Sequence, residues 1–138
     1  MKKVEVAIIG AGSGGLSARR EIAKKTQDYV VIDGGILGTT CARVGCMPSK
    51  VLIQVGADYA RRFKFTEQGI GNSDKLTIDH KVTMKHVRKL RDRFVRGVLG
   101  GMDSWEDNFI SGYAKFLDQN TLEVLSLIHI SEPTRLGM

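Results

Sequence analysis

Val4-Glu5-Val6-Ala7-Ile8-Ile9-Gly10-Ala11-Gly12-Ser13-Gly14-Gly15 is a short β-branched apolar run that breaks into glycines, and a helix-like pattern follows from Leu16 to Lys25. A strand, then G-x-G-x-x-G, then a helix is the order of a dinucleotide-binding unit. In that order Gly10 permits the tight turn, Gly12 lets the backbone approach a pyrophosphate, and Gly15 lets helix and strand pack closely. The helix N-terminus then faces the anion. Glycine-rich loops are also common as mere turns, so the pattern takes its meaning from its place between strand and helix. The next run, Tyr29-Val30-Val31-Ile32, reads as a second buried strand ending at Asp33. A carboxylate there can accept hydrogen bonds from ribose hydroxyls, although Asp-Gly-Gly is also a frequent way to open a turn. The expectation is an α/β, Rossmann-type domain with a parallel sheet.

A chain of 138 residues is long enough to bury one modest core. Its composition, 42% hydrophobic and 26% charged with 16 glycines and two prolines, is that of a globular protein rather than a disordered or fibrous one. No apolar run approaches the roughly 20 residues that span a bilayer. Met1-Lys2-Lys3-Val4-Glu5 leads into a strand pattern rather than a signal-peptide core, so the expected location is cytoplasmic. In such a compartment a disulfide is catalytic more often than structural.

The formal charge of +6 equals the charge of one segment, Lys81 to Arg96, which holds seven Lys or Arg and one Asp. This admits two readings: a basic binding module for an acidic partner or nucleic acid, or the solvated face of an amphipathic helix. Val87, Leu90, Phe94, Val98 and Leu99 supply an apolar stripe at helical spacing, which favours the second. Neither nucleic acid nor membrane is expected as a partner.

Cys41 and Cys46 are the only cysteines, and they lie in Gly38-Thr39-Thr40-Cys41-Ala42-Arg43-Val44-Gly45-Cys46-Met47-Pro48-Ser49-Lys50. A regular helix would hold Cα atoms five apart at roughly 8 to 9 Å, beyond the reach of about 7 Å that a disulfide needs. A bridge therefore requires a bend, and Gly45 is where a bend costs least. Two neighbouring free thiols are the alternative. A zinc site is disfavoured because His80, His86 and His129 lie far along the chain.

Gly-Thr-Thr-Cys-x4-Cys-Met-Pro-Ser-Lys resembles the active-site signature of the FAD-dependent pyridine nucleotide disulfide oxidoreductases, and Met-Pro-Ser-Lys is similar to the form found in their dihydrolipoamide dehydrogenases. The resemblance runs from Lys3 to about Val124, an N-terminal portion of a much longer family. It implies a redox-active Cys41–Cys46 disulfide that takes electrons from dihydrolipoyl groups, and FAD bound at Gly10, Gly12, Gly15 and Asp33. Gly38 and Thr40 would run alongside the flavin, Lys50 would lie near its N5, and Ala114 would offer backbone to the adenine. NAD would be the final acceptor in a homodimeric full-length enzyme. Mercuric and glutathione reductases share the same disulfide half. The family's His–Glu base belongs to a C-terminal domain, so His80, His86 and His129 receive no catalytic role, and the chain alone is expected to be inactive. Two departures stand out: Asp33 where the family more often has Glu, and Thr39 where it commonly has a second Gly.

Pro48 lies early in a helix that continues from Val51 to Arg62, with Leu52, Val55, Tyr59 and Phe63 as its expected packing face. Glu67 to Lys75 reads as a loop. Asp79 is a candidate N-cap for the basic helix, which Gly100-Gly101 ends. Phe109-Ile110-Ser111 reads as a further strand, and Phe116 to Val124 as a hairpin turning at Asp118-Gln119-Asn120. The expected division is therefore 1–124 as the domain and 125–138, containing Ser126-Leu127-Ile128-His129-Ile130, as a non-native tail.

Overall fold

The computed structural model describes residues 2–125. They gather into two units: Thr40–Gly100, and the described residues on either side of it.

The first unit is built on a three-stranded parallel sheet of β1 (Val6–Ile9), β2 (Tyr29–Asp33) and β3 (Phe109–Ser111), with β2 in the centre. Tyr29, Val30, Val31 and Ile32 are all buried, as an uninterrupted apolar run in a central parallel strand should be. The strand β1 begins two residues after the apolar run does. Its ladder starts at Val6 opposite Tyr29, and the N–H groups of Glu5 and Val6 are both drawn to Asp28 O. Helix α1 (Ser13–Ile22) starts three residues earlier than the pattern suggests, because Leu16 N–H already bonds Gly12 O. Gly14 and Gly15 thus lie inside the helix, where their poor propensity hides its first turn from sequence inspection.

One buried cluster has no sequence pattern to announce it. Arg19 Nε on α1 donates to Tyr29 Oη at 2.8 Å, and its guanidinium lies 5.0 Å from the ring centre of Trp105. Asn108 Nδ2 donates to Tyr29 O at 2.6 Å. The segment before β3 is thereby tied to β2 from both sides of the same tyrosine.

After β3 the chain forms an antiparallel hairpin of β4 (Tyr113–Phe116) and β5 (Leu122–Leu125). Its first strand lies earlier than expected, while the turn falls at Asp118-Gln119-Asn120 as anticipated. Asn120 N–H donates to Asp118 Oδ1 at 2.8 Å, and this bond, with the Thr121 hydroxyl, holds the Asp118 carboxyl below its ordinary range. Leu125 pairs with Tyr113, so the hairpin runs one residue past the expected boundary. The rest of the tail expected at 125–138, residues 126–138, lies outside the described residues.

The second unit is helical: α2 (Thr40–Arg43), α3 (Cys46–Ala60) and α4 (His80–Gly100). Asp79 caps α4, its Oδ1 accepting from Lys81 N–H at 2.8 Å and Val82 N–H at 3.1 Å. Val87 is buried, while Lys81, Lys85, Arg88, Lys89, Arg93 and Arg96 are exposed, so the basic run is the solvent face of an amphipathic helix. The expected packing face of α3 is covered only in part, Val55 and Tyr59 being half-buried. Leu52 is 45% exposed and Phe63 72%. Phe63 and Tyr59 instead flank the Arg62 guanidinium, at 4.8 and 4.2 Å. The expected loop contains two short 3-10 turns, separated by Gly69 and Asn72 in left-handed conformations. Among the described residues no helix is long and apolar enough to cross a membrane.

Candidate functional site

The turn from β1 into α1 is fastened to the end of β2 in two successive steps. Gly10 N–H donates to Ile32 O at 2.7 Å, and Ala11 N–H donates to Asp33 Oδ2 at 2.5 Å. Between these ties Gly10 takes φ +99°, a conformation that excludes a side chain. Gly15 serves packing: a Cβ there would stand 1.8 Å from Gly10 O. Gly10, Gly12, Gly15 and Asp33 are thus brought together at one end of the sheet.

The start of α1 is open. Gly12 provides no side-chain cap, the first turn carries no acidic residue, and Cβ atoms on Gly12 and Gly14 would meet nothing within 4 Å. The N–H groups of the first turn have no intrahelical acceptor, and the helix dipole adds partial positive charge there. Uncapped donors beside unobstructed space are what a phosphate needs. The residues present therefore fit the pyrophosphate of a dinucleotide.

Beyond β2 the chain passes through Gly38 at φ +106° and Thr39 at φ +60°, both buried. A β-branched residue in the left-handed region is an outlier that costs about 1–2 kcal/mol. This gives the Thr39 departure a physical meaning, since the position demands a conformation that glycine adopts freely. Ala114 stands in β4 opposite Val124, in the hairpin rather than in the glycine turn.

In the helical unit the two cysteines straddle a break. Helix α2 holds Thr40 and Cys41 and ends at Arg43, Val44 N–H bonds Thr40 O at 3.0 Å, and Gly45 is the N-cap from which α3 restarts at Cys46. The chain folds back closely at this point: a Cβ on Gly45 would stand 3.2 Å from Thr40 O and 3.5 Å from Cys41 Cα. Cys41 is half-buried and Cys46 exposed, both as free thiols. A hydrogen bond between them is the main cause that pushes the Cys41 thiol above its ordinary pKa. Burial and the charge of Cys46 add to the shift, while a hydrogen bond from the Cys46 backbone N–H and then the charge of Lys50 oppose it. Lys50 itself is exposed on the next turn of α3.

The sign of that shift yields an expectation. Replacing Cys46 with alanine removes the principal cause, so the Cys41 pKa falls and its thiolate fraction at pH 8 rises. Cys46→Ala should therefore alkylate at Cys41 with iodoacetamide faster than the same thiol does in the reduced parent chain. An unchanged or slower rate would mean that the two sulfurs do not interact.

Sequence reasoning missed the conformation of Thr39 and the engagement of Asp33 by Ala11. For the first, the threonine in place of a glycine was the only available signal. The second depends on the direction of one peptide plane, which no residue type encodes.

Comparison with known proteins follows the same lines. The model of the pyridine nucleotide-disulphide oxidoreductase family matches residues 4–124. Among curated proteins, the dihydrolipoyl dehydrogenase of Geobacillus stearothermophilus is 31% identical over 90% of this chain, that of Vibrio cholerae 34% over 88%, and that of Mycobacterium leprae 33% over 90%. In each case the matched region is 26% of the relative, so the chain spans about a quarter of the length of these relatives.

Proposed function

This chain belongs to the pyridine nucleotide-disulphide oxidoreductase family, and we propose on that footing that it is the FAD-binding and disulfide-bearing portion of a dihydrolipoyl dehydrogenase. The observation that carries the reading is the helix break at Gly45, where the chain folds back on Cys41, which supports an approach of Cys46 to Cys41 within a segment that as a continuous helix would hold them apart. Gly10, Gly12, Gly15 and the first turn of α1 would hold the FAD pyrophosphate. Gly38 and Thr40 would run beside the flavin, Ala114 would meet the adenine, and the charge of Lys50 would favour the reduced ring. When bound, FAD supplies a two-electron acceptor between the dithiol and NAD.

The residues of the chain itself carry the thiol chemistry. A dihydrolipoyl thiolate attacks Cys41 of the Cys41–Cys46 disulfide, forming a mixed disulfide and releasing Cys46 as thiolate. The second dihydrolipoyl thiol, once deprotonated, attacks the substrate sulfur of that mixed disulfide, closes the lipoyl ring and releases Cys41. Two electrons then rest on the cysteine pair, and the proton given up by the second dihydrolipoyl thiol passes to the Cys41 sulfur as it leaves, so that Cys41 ends as the thiol hydrogen-bonded to the Cys46 thiolate. The raised pKa of Cys41 supports this division of labour. The working form is a cytoplasmic homodimer, with NAD as final acceptor.

Titration of the purified chain into FAD tests the reading. Saturable quenching of flavin fluorescence that ADP reverses is the expected result. Flavin that shows no saturable binding would overturn the proposal.

A further inference from the structure

One face of α4 is a row of cations. Lys81, Lys85, Arg88, Lys89, Arg93 and Arg96 are all exposed, and at 3.6 residues per turn they fall within an arc of about 140° along roughly 22 Å of helix. The one acid of α4, Asp92, is taken by Arg91, whose Nη2 lies 2.7 Å from Asp92 Oδ1. Among the described residues none of the six cations has an ion pair. Lys81 and Lys85, Lys85 and Lys89, and Lys89 and Arg93 are each four apart, a spacing at which like charges destabilise a helix. Lys81 also lies in the first turn, where the helix dipole disfavours a cation. A face made only for water commonly alternates the two signs. This row leaves its repulsion to be offset by an anionic surface from outside.

The buried side chains of α4, Thr83 and Val87, lie on the other side of the helix, and α4 packs on both α2 and α3. Those two helices hold Cys41 and Cys46. The cations and the thiol pair therefore belong to one unit of the fold, a single helix apart, about 8–10 Å between axes. Resting on the dithiol–disulfide reading above, we propose that this face docks the carrier of the substrate, an acidic polypeptide that bears the dithiol. The carrier meets α4 through its carboxylates, which brings its dithiol close to the pair. Nucleic acid is the weaker fit, because the row presents no Phe, Tyr or Trp on which a base could stack, Phe94 lying in the apolar stripe. Such attraction raises the rate of encounter and leaves the chemistry unchanged. The dithiol closes to its cyclic disulfide, while its two electrons and two protons convert the Cys41–Cys46 bond to two thiols.

The experiment starts from the 138-residue chain oxidised with oxidised glutathione. Its reduction is followed by the mass of acid-quenched samples, with three dihydrolipoyl-lysine peptides whose flanking residues are aspartate, serine or lysine. At low salt the aspartate peptide should react about tenfold faster than the serine peptide, the lower end of electrostatic steering, and the lysine peptide slower than both. In about 1 M salt, where the screening length is about 3 Å, the three rates should converge. The triple reversal Lys85→Glu, Arg88→Glu and Lys89→Glu should abolish the advantage of the aspartate peptide and leave the serine peptide's rate unchanged. Equal rates for the aspartate and serine peptides at low salt would overturn the proposal, as would an advantage that survives the reversal. So would a labelled DNA duplex that binds the parent chain more tightly than the labelled aspartate peptide does at physiological salt. If none of the peptides reduces the chain, the dithiol reading fails, and the anisotropy of the labelled aspartate peptide, with and without the reversal, still decides the surface. Should the triple variant lose its helical circular dichroism, the single variant Arg88→Gln, with a smaller drop in the same direction, and the salt dependence of the parent take its place.

Discussion

A methyl group on Gly15 costs this fold about 3 kcal/mol or more, whereas the same group on Gly14, one residue earlier, costs nothing or stabilises. The Cβ of Gly15→Ala would stand 1.8 Å from Gly10 O and 2.9 Å from Gly10 C. Both are backbone atoms, so no rotamer change relieves the overlap. Either α1 moves off β1 or the turn at Gly10 opens, and overpacking on this scale lies at or beyond the upper end of the usual 1–3 kcal/mol. Gly14→Ala meets nothing within 4 Å and exchanges a poor helix former for the best one, a gain of up to about 1 kcal/mol. Urea melts of the two variants should separate widely on either side of the parent. Equal midpoints would mean that α1 does not pack on β1 through Gly15.

Gly12→Asp should move stability and nucleotide binding in opposite directions. Gly12 is the N-cap of α1, with φ −76° and ψ −174°, and it supplies no side-chain hydrogen bond. Aspartate adopts that conformation without strain and caps the free first-turn donors, where Asp gains a few tenths of a kcal/mol or more over Gly. It also places a negative charge at the start of α1, where the proposed function puts a phosphate. Loss of the donors and repulsion together should weaken ADP by about a hundredfold or more, about 2.7 kcal/mol. The checks are a thermal melt and an ADP titration on the same preparation. Retained ADP affinity would separate the start of α1 from the nucleotide.

The sheet and the glycine turn were legible because their signals are local: an apolar run, glycines at three fixed places, a second apolar run and an acid. The break at Gly45 was legible for a similar reason, since five residues of helix cannot close a disulfide. Failures arose where meaning depends on neighbours distant in sequence. Periodicity predicts one apolar side running from Leu52 to Phe63, but not that these two residues are exposed, that Phe63 falls in the 3-10 turn after α3, or that it flanks Arg62. Arg19, Tyr29 and Trp105 meet only because the chain returns to β2 after the helical unit. Asp33 is the intermediate case. Its position was evident, and its partners were not, because an acid at a strand end can serve a ligand or the backbone beside it.

The central claim, that Cys41 and Cys46 form a reversible redox pair, is tested most directly by counting thiols on the purified chain before and after mild oxidation. Since the chain has two cysteines, the reduced protein should titrate two thiols and the protein treated with oxidised glutathione none. Its mass should remain that of a monomer less two hydrogens, and dithiothreitol should restore both thiols. Two thiols that stay reactive throughout, or that oxidise only into cross-linked dimers, would contradict the account.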